Sequence, residues 1–342
     1  MNRRRQLGLL LATVGLGWLA SARVAARRRR TIDLHGRTVL ITGGSRGLGL
    51  VLARELTRHG AALALCARDE DELERARTEL SALGATVFTF PCDVTDRASV
   101  REMVRVVRHH YGRIDVLINN AGTIAVGPLE TMTLEDYEEA MRTHFWGALH
   151  TIDAVLPEMR ARREGRIVNV TSIGGKISVP HLLPYGASKF AAVGLSEGLR
   201  AELAKDGVLV TTVCPGLMRT GSPTNASFKG RHWAEYTWFS IASGLPLVSI
   251  SAERAARRII EACRRGEAEV FFPLSAALAA RIHGLWPGLT ADLLAALNRL
   301  LPVAEGGVGT APVKGRHSTT FLSPSWLTTL TDRAAARNNE LA

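Results

Sequence analysis

A glycine-rich turn near the start of the chain constrains the fold more than any other feature of the sequence. The apolar run Thr38–Thr42 leads directly into the segment Gly43–Gly49 (GGSRGLG), and a helical pattern follows it. Glycines permit a tight turn and a close approach of the backbone to a ligand. The N-terminus of the following helix offers free N–H groups and a partial positive charge to an anion. The pattern therefore predicts a dinucleotide-binding βα unit.

Beyond this turn, short apolar runs alternate with amphipathic stretches, a pattern typical of βαβ units around a parallel sheet. The runs are almost continuously apolar, as expected for strands that are buried on both faces. The predicted strands are Thr38–Thr42, Ala62–Ala67, Thr86–Pro91, Ile114–Ile118, Arg166–Thr171, Val208–Val213 and Glu269–Phe272. We therefore expect an α/β fold, a Rossmann-like doubly wound parallel sheet of about seven strands with helices on both faces.

The charge of the chain is concentrated at one end. The 342 residues carry a formal net charge of +11, and eight arginines but no acidic residue lie within residues 1–30. Because the rest of the chain is close to neutral, the basicity is a local signal and nucleic acid is not an expected partner. The four cysteines show no metal-like spacing, and no metal site is predicted.

The N-terminal residues 1–30 contain an apolar run, Leu7–Ala22, with arginines on both sides. A helix of this length would span roughly 24 Å, slightly less than the hydrocarbon core of a bilayer. One interpretation is a retained membrane anchor, with the arginines after the run holding the catalytic domain in the cytoplasm. The alternative is a cleaved signal peptide, which would make the mature protein soluble.

Five motifs follow one another along the chain in the order found in one known family. They are TGxxxGxG at Thr42–Gly49, Cys92-Asp93-Val94, NNAG at Asn119–Gly122, YxxxK at Tyr185–Lys189, and Pro215-Gly216 with Thr220. In these motifs the chain resembles the short-chain dehydrogenase/reductase family. The resemblance runs from about Thr38 to Phe272 and implies a nicotinamide-linked oxidoreductase, with dimers or tetramers common in the family. The predicted cofactor-binding residues are Gly43, Ser45, Arg46, Gly47, Leu48, Gly49, Arg68, Asp93, Val94, Asn120, Ala121, Gly122, Tyr185, Lys189, Pro215, Gly216 and Thr220.

The choice between NADPH and NADH is predicted from charge. NAD sites usually place an acid at the end of the second strand, and this chain has Ala67 and then Arg68 there. Two guanidiniums, Arg46 and Arg68, could clamp a 2′-phosphate. NADPH is therefore the expected cofactor, and NADH is the less favoured one. The alternative is that Arg68 is an exposed helix-start residue and Asp69 the helix cap.

Three side chains are predicted to carry the chemistry. Tyr185 and Lys189 are four residues apart, so a helix would place them on one face, and Ser172 lies thirteen residues before the tyrosine. Reduction of a carbonyl needs a proton donor and stabilisation of a developing oxyanion. We expect the lysine ammonium to lower the pKa of Tyr185 and Ser172 to hydrogen-bond the substrate oxygen. By resemblance, Lys189 would also bind the nicotinamide ribose.

One position departs from the family pattern. The family usually has an asparagine that supports a water-mediated proton relay, and this chain has His144 there, in the segment His144–Gly147. An imidazole could hold a water and pass protons, so a working relay is one hypothesis. The alternative is a packed histidine that takes no part in catalysis.

Four segments are predicted. Residues 1–30 form the anchor or signal, and residues 31–273 form the catalytic domain, with an irregular, aromatic-rich lid at about 217–245. Residues 274–302 form amphipathic helices that could lie in a membrane interface or pack on the body or on a second subunit. Residues 303–342 form a mobile tail. The predicted function is NADPH-dependent reduction of a lipophilic ketone or aldehyde, or oxidation of the alcohol. The alternative is a dinucleotide sensor or scaffold without catalysis.

Overall fold

A computed structural model describes residues 30–341, except 247, 305–309, 321–322, 324 and 326–327. The predicted apolar anchor lies outside these residues. The strands are β1 (Thr38–Thr42), β2 (Ala62–Ala67), β3 (Val87–Pro91), β4 (Val116–Asn119), β5 (Ala125–Val126), β6 (Gly165–Val170), β7 (Val208–Pro215), β8 (Leu217–Arg219), β9 (Ser227–Phe228), β10 (Ser249–Ser251), β11 (Glu269–Phe272) and β12 (Val313–Lys314). The α-helices are α1 (Gly47–Arg58), α2 (Glu70–Ala82), α3 (Arg97–Tyr111), α4 (Leu134–Met141), α5 (Gly147–Arg162), α6 (Leu183–Leu203), α7 (His232–Gly244), α8 (Ala252–Arg265), α9 (Leu274–Leu285), α10 (Pro287–Asn298) and α11 (Thr329–Arg337).

The central sheet has seven strands in the order β11-β7-β6-β4-β1-β2-β3. Every neighbouring pair is parallel, and Val39 of β1 lies opposite Leu63 of β2 on one side and Val116 of β4 on the other. The chain leaves β1 toward one edge of the sheet and returns at β4 toward the other. This change of direction creates a crevice at the carboxyl ends of β1 and β4. The predicted fold class is confirmed.

Two hydrophobic clusters, one against each face of the sheet, hold the layers together. On one face, Leu52 and Leu56 of α1 pack with Ile259 of α8. On the other face, Met103 of α3 packs with Val155 of α5. Burying each such side chain contributes about 1.5–3 kcal/mol, so the two layers fix the sheet that carries the site.

The predicted lid is more regular than expected. Residues 217–245 include the short strands β8 and β9 and the helix α7. Phe228, Tyr236 and Phe239 of this segment are buried together with Val126 of β5. Three of the aromatic side chains of the lid therefore build a small core of their own, whereas Trp233 is exposed.

The predicted mobile tail is also ordered in its described part, which corrects that expectation. Strand β12 pairs with β9, and helix α11 packs against α7 and β8. Ala334 and Ala335 of α11 are buried, and the Cα of Ala335 would lie 2.4 Å from a Cβ placed at Gly221. Gly221 and the small side chain of Ala335 allow the tail and the lid to approach closely.

The predicted amphipathic extension forms the helical hairpin α9–α10. Its large apolar side chains are 44% to 82% exposed: Leu274, Leu278, Ile282, Leu285, Leu289, Leu293, Leu297 and Leu300. No helix within the described residues is long and apolar enough to cross a membrane.

Candidate active site

The glycine turn has the geometry that its sequence predicts. Gly43 and Gly47 have φ angles of +63° and +54°, which favour glycine. A Cβ at Gly49 would lie 1.9 Å from the carbonyl oxygen of Gly43, so this position accepts only glycine. The Asn120 side-chain amide donates to the carbonyl oxygens of Thr42 (3.1 Å) and Gly43 (3.0 Å), and thereby joins the ends of β1 and β4.

A cleft of about 500 Å³ opens at this edge of the sheet. It brings together most of the residues predicted to bind a cofactor. Those that line it are Gly43, Ser45, Arg46, Gly47, Leu48, Arg68, Asp93, Val94, Asn120, Ala121, Gly122, Tyr185, Lys189 and Thr220. Gly49, Pro215 and Gly216 do not line it. The tight turn, and a cleft that runs from it to Tyr185 and Lys189, fit a dinucleotide.

Tyr185 and Lys189 enter the cleft from the first turns of α6. The Lys189 Nζ lies 5.6 Å from the centre of the Tyr185 ring and donates to the carbonyl oxygen of Val170 (3.1 Å). Burial lowers the pKa of Lys189 to about 8. The pair therefore lies on one helical face, as the spacing predicted.

The pKa of Tyr185 differs from the expectation. Burial raises it, and only the nearby Ser172 hydroxyl acts in the opposite direction. The expected lowering by Lys189 is absent because the ammonium points to the Val170 carbonyl. At neutral pH the phenol is thus protonated, which suits a proton donor.

Ser172 lies directly after β6, where its Oγ accepts a hydrogen bond from the Gly174 N–H (2.9 Å). A Cβ at Gly174 would lie 3.1 Å from Tyr185 Cε1 and 3.3 Å from Ser172 Oγ, so both side chains approach the same glycine. Ser172 is not among the residues that line the large cleft, but it lies beside the phenol.

His144 lies on a π-helical segment, Arg142–Trp146, that joins α4 to α5. Its Nδ1 is 2.8 Å from Ser188 Oγ, and its Nε2 accepts a hydrogen bond from the Thr123 N–H (3.2 Å). Because Ser188 Oγ donates to the Tyr185 carbonyl, Nδ1 must be the protonated nitrogen. Burial, and then the charge of Lys189, lower the pKa of His144 well below its usual value.

Both ring nitrogens of His144 are therefore used by protein groups, and the imidazole is neutral. Its ring meets the edge of the Tyr185 ring at a centroid distance of 5.4 Å. This arrangement favours the packed histidine over the proton relay. The residue orients the first turn of α6, which carries the phenol.

A buried polar network beneath the cleft was not predicted. Asn119 of β4 donates to Asn169 of β6 (2.9 Å), and Asn169 donates to Ser196 of α6 (3.0 Å). Thr151 donates to Asn119 (2.6 Å), and Thr212 of β7 donates to Ser196 (2.7 Å). The network ties three strands to α6, the helix that carries Tyr185 and Lys189. The polar residues Asn119 and Asn169 within apolar strands were the available signal.

Arg46 and Arg68 both line the cleft, but their surroundings differ. Arg46 pairs with Glu72 of α2, and the Ser45 Oγ donates to the same carboxylate (2.8 Å). Arg68 is exposed, and Asp69 caps α2 by accepting from the Glu72 N–H (2.8 Å). The structure therefore contains both features of the alternative interpretation, while Arg68 still faces the cleft.

Glu235 of α7 is a second residue that the sequence did not reveal. Its carboxylate is fully buried, accepts from Trp238 Nε1 (2.7 Å) and lies 2.8 Å from His181 Nδ1. His181 belongs to the loop that precedes α6. The contact thus fixes the lid against the loop before Tyr185.

Comparison with known proteins agrees with this geometry. The family model described as short chain dehydrogenase matches residues 37–229. A dehydrogenase/reductase SDR family protein 7-like of Anopheles gambiae is 40% identical over 204 residues, which cover 58% of this chain and 64% of that protein. The chain thus spans slightly less than two thirds of that relative's length.

Two further proteins extend the match. The 17-beta-hydroxysteroid dehydrogenase 13 of Rattus norvegicus is 35% identical over 237 residues, 66% of this chain and 77% of that protein. A short-chain dehydrogenase/reductase of Burkholderia phymatum, whose crystal structure is a complex with NAD, has a TM-score of 0.70 at 26% identity. The superposition covers 75% of this chain and 96% of that one.

Proposed function

Since the chain belongs to the short-chain dehydrogenase/reductase family, it is an oxidoreductase of CH–OH and C=O groups, and we propose that it reduces a lipophilic carbonyl compound with NADPH. The observation that carries the proposal is the convergence of the glycine turn, Tyr185 and Lys189 on one cleft. A bound nicotinamide dinucleotide would supply the hydride. The residues of the chain provide the remaining chemistry.

Tyr185 would donate the proton to the carbonyl oxygen as the hydride arrives. Its phenol, whose pKa burial raises, is protonated at neutral pH. Lys189, whose Nζ lies 5.6 Å from the centre of the ring, would bind the nicotinamide ribose. Ser172, beside the phenol, would hold the substrate oxygen. His144 would keep the start of α6 in position through Ser188.

NADPH is preferred in this proposal because Arg46 and Arg68 face the cleft and no acid stands at the end of β2, where Ala67 lies. A 2′-phosphate could pair with two guanidiniums there. The crystal structure of the Burkholderia phymatum protein contains NAD, which is an observation on that protein alone. Kd values for NADPH and NADH of the full chain test the preference, and tighter binding of NADH would refute it.

The lipophilic part of the proposal rests on the hairpin α9–α10. The hairpin directly follows β11 at the same edge of the sheet as the cleft, and its leucines are exposed. We propose that this face lies in a lipid surface, where a lipophilic substrate would be concentrated. The name of the rat relative, a hydroxysteroid dehydrogenase, is consistent with such a substrate.

The immediate surroundings of the phenol are more polar than the hairpin. A small cavity of about 40 Å³ beside Tyr185 is lined by both polar and apolar residues, namely Thr123, Asp136, Glu139, Ser227, Ala125, Ala140 and Pro312. The lipophilic body of the substrate would therefore extend toward the lid and the hairpin, with only its carbonyl group near the phenol.

The experiment that tests the function follows 340 nm absorbance with the full chain in lipid vesicles. The substrates are ketones of increasing chain length, a ketosteroid and a short polar ketone, each with NADPH and with NADH. We expect NADPH consumption that increases with the apolar length of the ketone. Equal rates for the short polar ketone would refute the lipophilic substrate.

The hairpin has a matched control. Leu289→Ser with Leu293→Ser should reduce vesicle binding, whereas Leu83→Ser, an equally exposed leucine after α2, should not. Unchanged sedimentation of the hairpin variant with vesicles would place the membrane contact elsewhere.

The engaged nitrogens of His144 favour one second candidate, a dinucleotide sensor without turnover. It predicts tight binding of the dinucleotide and no consumption with any ketone. The same absorbance and binding measurements separate the two functions.

A further inference from the structure

Residues Asn338–Glu340, near the C-terminus, contact the backbone of the glycine turn. The Gly47 N–H, at the first residue of α1, donates to the Asn338 carbonyl oxygen (2.8 Å). The Asn339 side-chain amide donates to the carbonyl oxygens of Ser45 (3.0 Å) and Glu72 (3.3 Å). Free N–H groups at such a helix start are the groups that bind phosphate oxygens. One of them is here satisfied by the chain itself.

The carboxylate of Glu340 is built into the same place. The residue is only 4% exposed and lines the cleft. Its Oε2 lies 3.6 Å from Arg46 Nε and accepts from Asn225 Nδ2 (2.6 Å). A Cβ at Gly47 would lie 2.5 Å from Glu340 Oε1, so the carboxylate is in contact with the turn.

Contacts with the body hold this segment in place. Arg54 of α1 donates to the Asn338 side chain (2.9 Å) and to the Arg337 carbonyl oxygen (2.7 Å). The Asn338 amide donates to the Thr220 carbonyl oxygen (3.2 Å), and Thr220 also lines the cleft. The segment therefore bridges the two sides of the cleft.

We propose that Asn338–Glu340 occupy the phosphate-binding turn in competition with the dinucleotide, and that Glu340 directs this competition mainly against NADPH. The proposal deepens the cofactor assignment made above and rests on it. A dinucleotide that uses the Gly47 N–H must displace the Asn338 carbonyl. A 2′-phosphate that uses Arg46 must also displace the Glu340 carboxylate.

Charge explains the selectivity. Arg46 already pairs with Glu72, and Glu340 is a second carboxylate on the same guanidinium. A phosphate dianion placed beside two carboxylates would be repelled, whereas the uncharged 2′-hydroxyl of NADH would not. Burial raises the pKa of Glu340, and the Arg46 charge opposes that shift. The Arg46 guanidinium is therefore one of the groups that favour the charged form of this buried carboxylate.

The test compares four forms of the full chain: the unaltered chain, Glu340→Gln, a truncation after Arg337, and the control Glu102→Gln. Glu102 is an exposed acid on α3 that pairs with Arg105, remote from the cleft. Kd values for NADPH and NADH are measured by nicotinamide fluorescence, without a carbonyl substrate. Hydrogen exchange of the Gly47 amide is measured without any dinucleotide.

We expect Glu340→Gln to lower the Kd for NADPH by about fivefold to tenfold and that for NADH by less than about twofold, as for one charge-assisted contact. The truncation should lower both Kd values and speed exchange at Gly47. Glu102→Gln should change neither.

Three outcomes would overturn the proposal. Weaker binding of both dinucleotides after truncation would show that the segment belongs to the cofactor site. Equal effects of Glu340→Gln on NADPH and NADH would remove the selectivity. If Kd values and Gly47 exchange are unchanged, the segment does not compete. The absence of dinucleotide binding in all four forms would instead refute the proposed function itself. If the truncated chain does not fold, Asn339→Ala replaces it.

Discussion

The two walls of the cleft treat their charged groups in opposite ways. On the catalytic wall, Lys189 is buried and Tyr185 is partly buried. Burial shifts the pKa of each so that the uncharged form is favoured. On the wall of the glycine turn, Arg46 is paired with Glu72 and Glu340. On the first wall, Tyr185 and Lys189 have few hydrogen-bond partners within the protein. On the second wall Arg46 already has two carboxylate partners, so a ligand that uses Arg46 must exchange partners there.

The largest expected effect tests the catalytic wall. Tyr185→Phe removes the proton donor and leaves the ring that packs against His144. Turnover should fall by about 10³-fold, roughly 4 kcal/mol of transition-state stabilisation. The Kd for NADPH should change by less than about twofold. Steady-state rates and nicotinamide fluorescence measure the two quantities, and retained turnover would contradict the assignment.

The next effect tests whether burial of the charged Lys189 side chain lowers the free energy of unfolding. The pKa shift of Lys189 from 10.5 to about 8 corresponds to roughly 3 kcal/mol of unfavourable burial of the ammonium at neutral pH. Lys189→Met removes this cost but leaves the Val170 carbonyl without its donor. We expect the free energy of unfolding to rise by about 1–2 kcal/mol at pH 7. Turnover should be lost.

The buried Lys189 also makes the free energy of unfolding depend on pH. Between pH 8 and 10.5, the unfolded chain holds the Lys189 proton and the folded chain releases it. The contribution of this lysine to stability therefore increases with pH over that range. Urea unfolding should show this increase in the unaltered chain relative to Lys189→Met. Parallel pH profiles would mean that the ammonium is not destabilised.

A smaller effect tests the wall of the turn. Arg68→Asp should raise the Kd for NADPH by about tenfold and leave the Kd for NADH equal or lower, because an acid accepts ribose hydroxyls and repels a 2′-phosphate. Arg77→Asp, an exposed arginine further along α2, is the matched control. Equal changes for both dinucleotides would remove Arg68 from the phosphate site.

The smallest effect concerns the residue that supports the catalytic wall. His144→Asn should lower the free energy of unfolding by about 1 kcal/mol, because one of the two hydrogen bonds of the imidazole is lost. The pH profile of turnover should not move, since the imidazole stays neutral. A shifted profile would restore the relay hypothesis.

The two walls also differed in how far the sequence predicted them. Tyr185 and Lys189 are neighbours along one helix, so their spacing predicted their geometry directly. The sheet followed from the alternation of apolar runs and helical patterns. The pKa of Tyr185 did not, because it depends on burial and on where the Lys189 ammonium points.

The ion-pair partners of Arg46 could not be predicted from the sequence. Glu340 is almost three hundred residues away along the chain, and its tail has a composition that predicts mobility. Local patterns carry no information about which distant segment fills a surface groove. The same limit applies to Glu235 and His181, whose contact joins helix α7 to the loop before α6.

The polar network beneath the cleft has a consequence for how this chain can change over generations. Asn119, Asn169, Ser196, Thr151 and Thr212 satisfy one another while buried. Replacing Asn119, Asn169 or Thr151 by an apolar residue leaves a buried partner with one hydrogen bond fewer, at a cost of about 1–3 kcal/mol. Single substitutions in the network are therefore destabilising, and we expect these positions to change together in evolution. Relatives that lose Asn119 should carry compensating replacements at Asn169 or Thr151, so the strand ends beneath the cofactor cleft are inherited as a group.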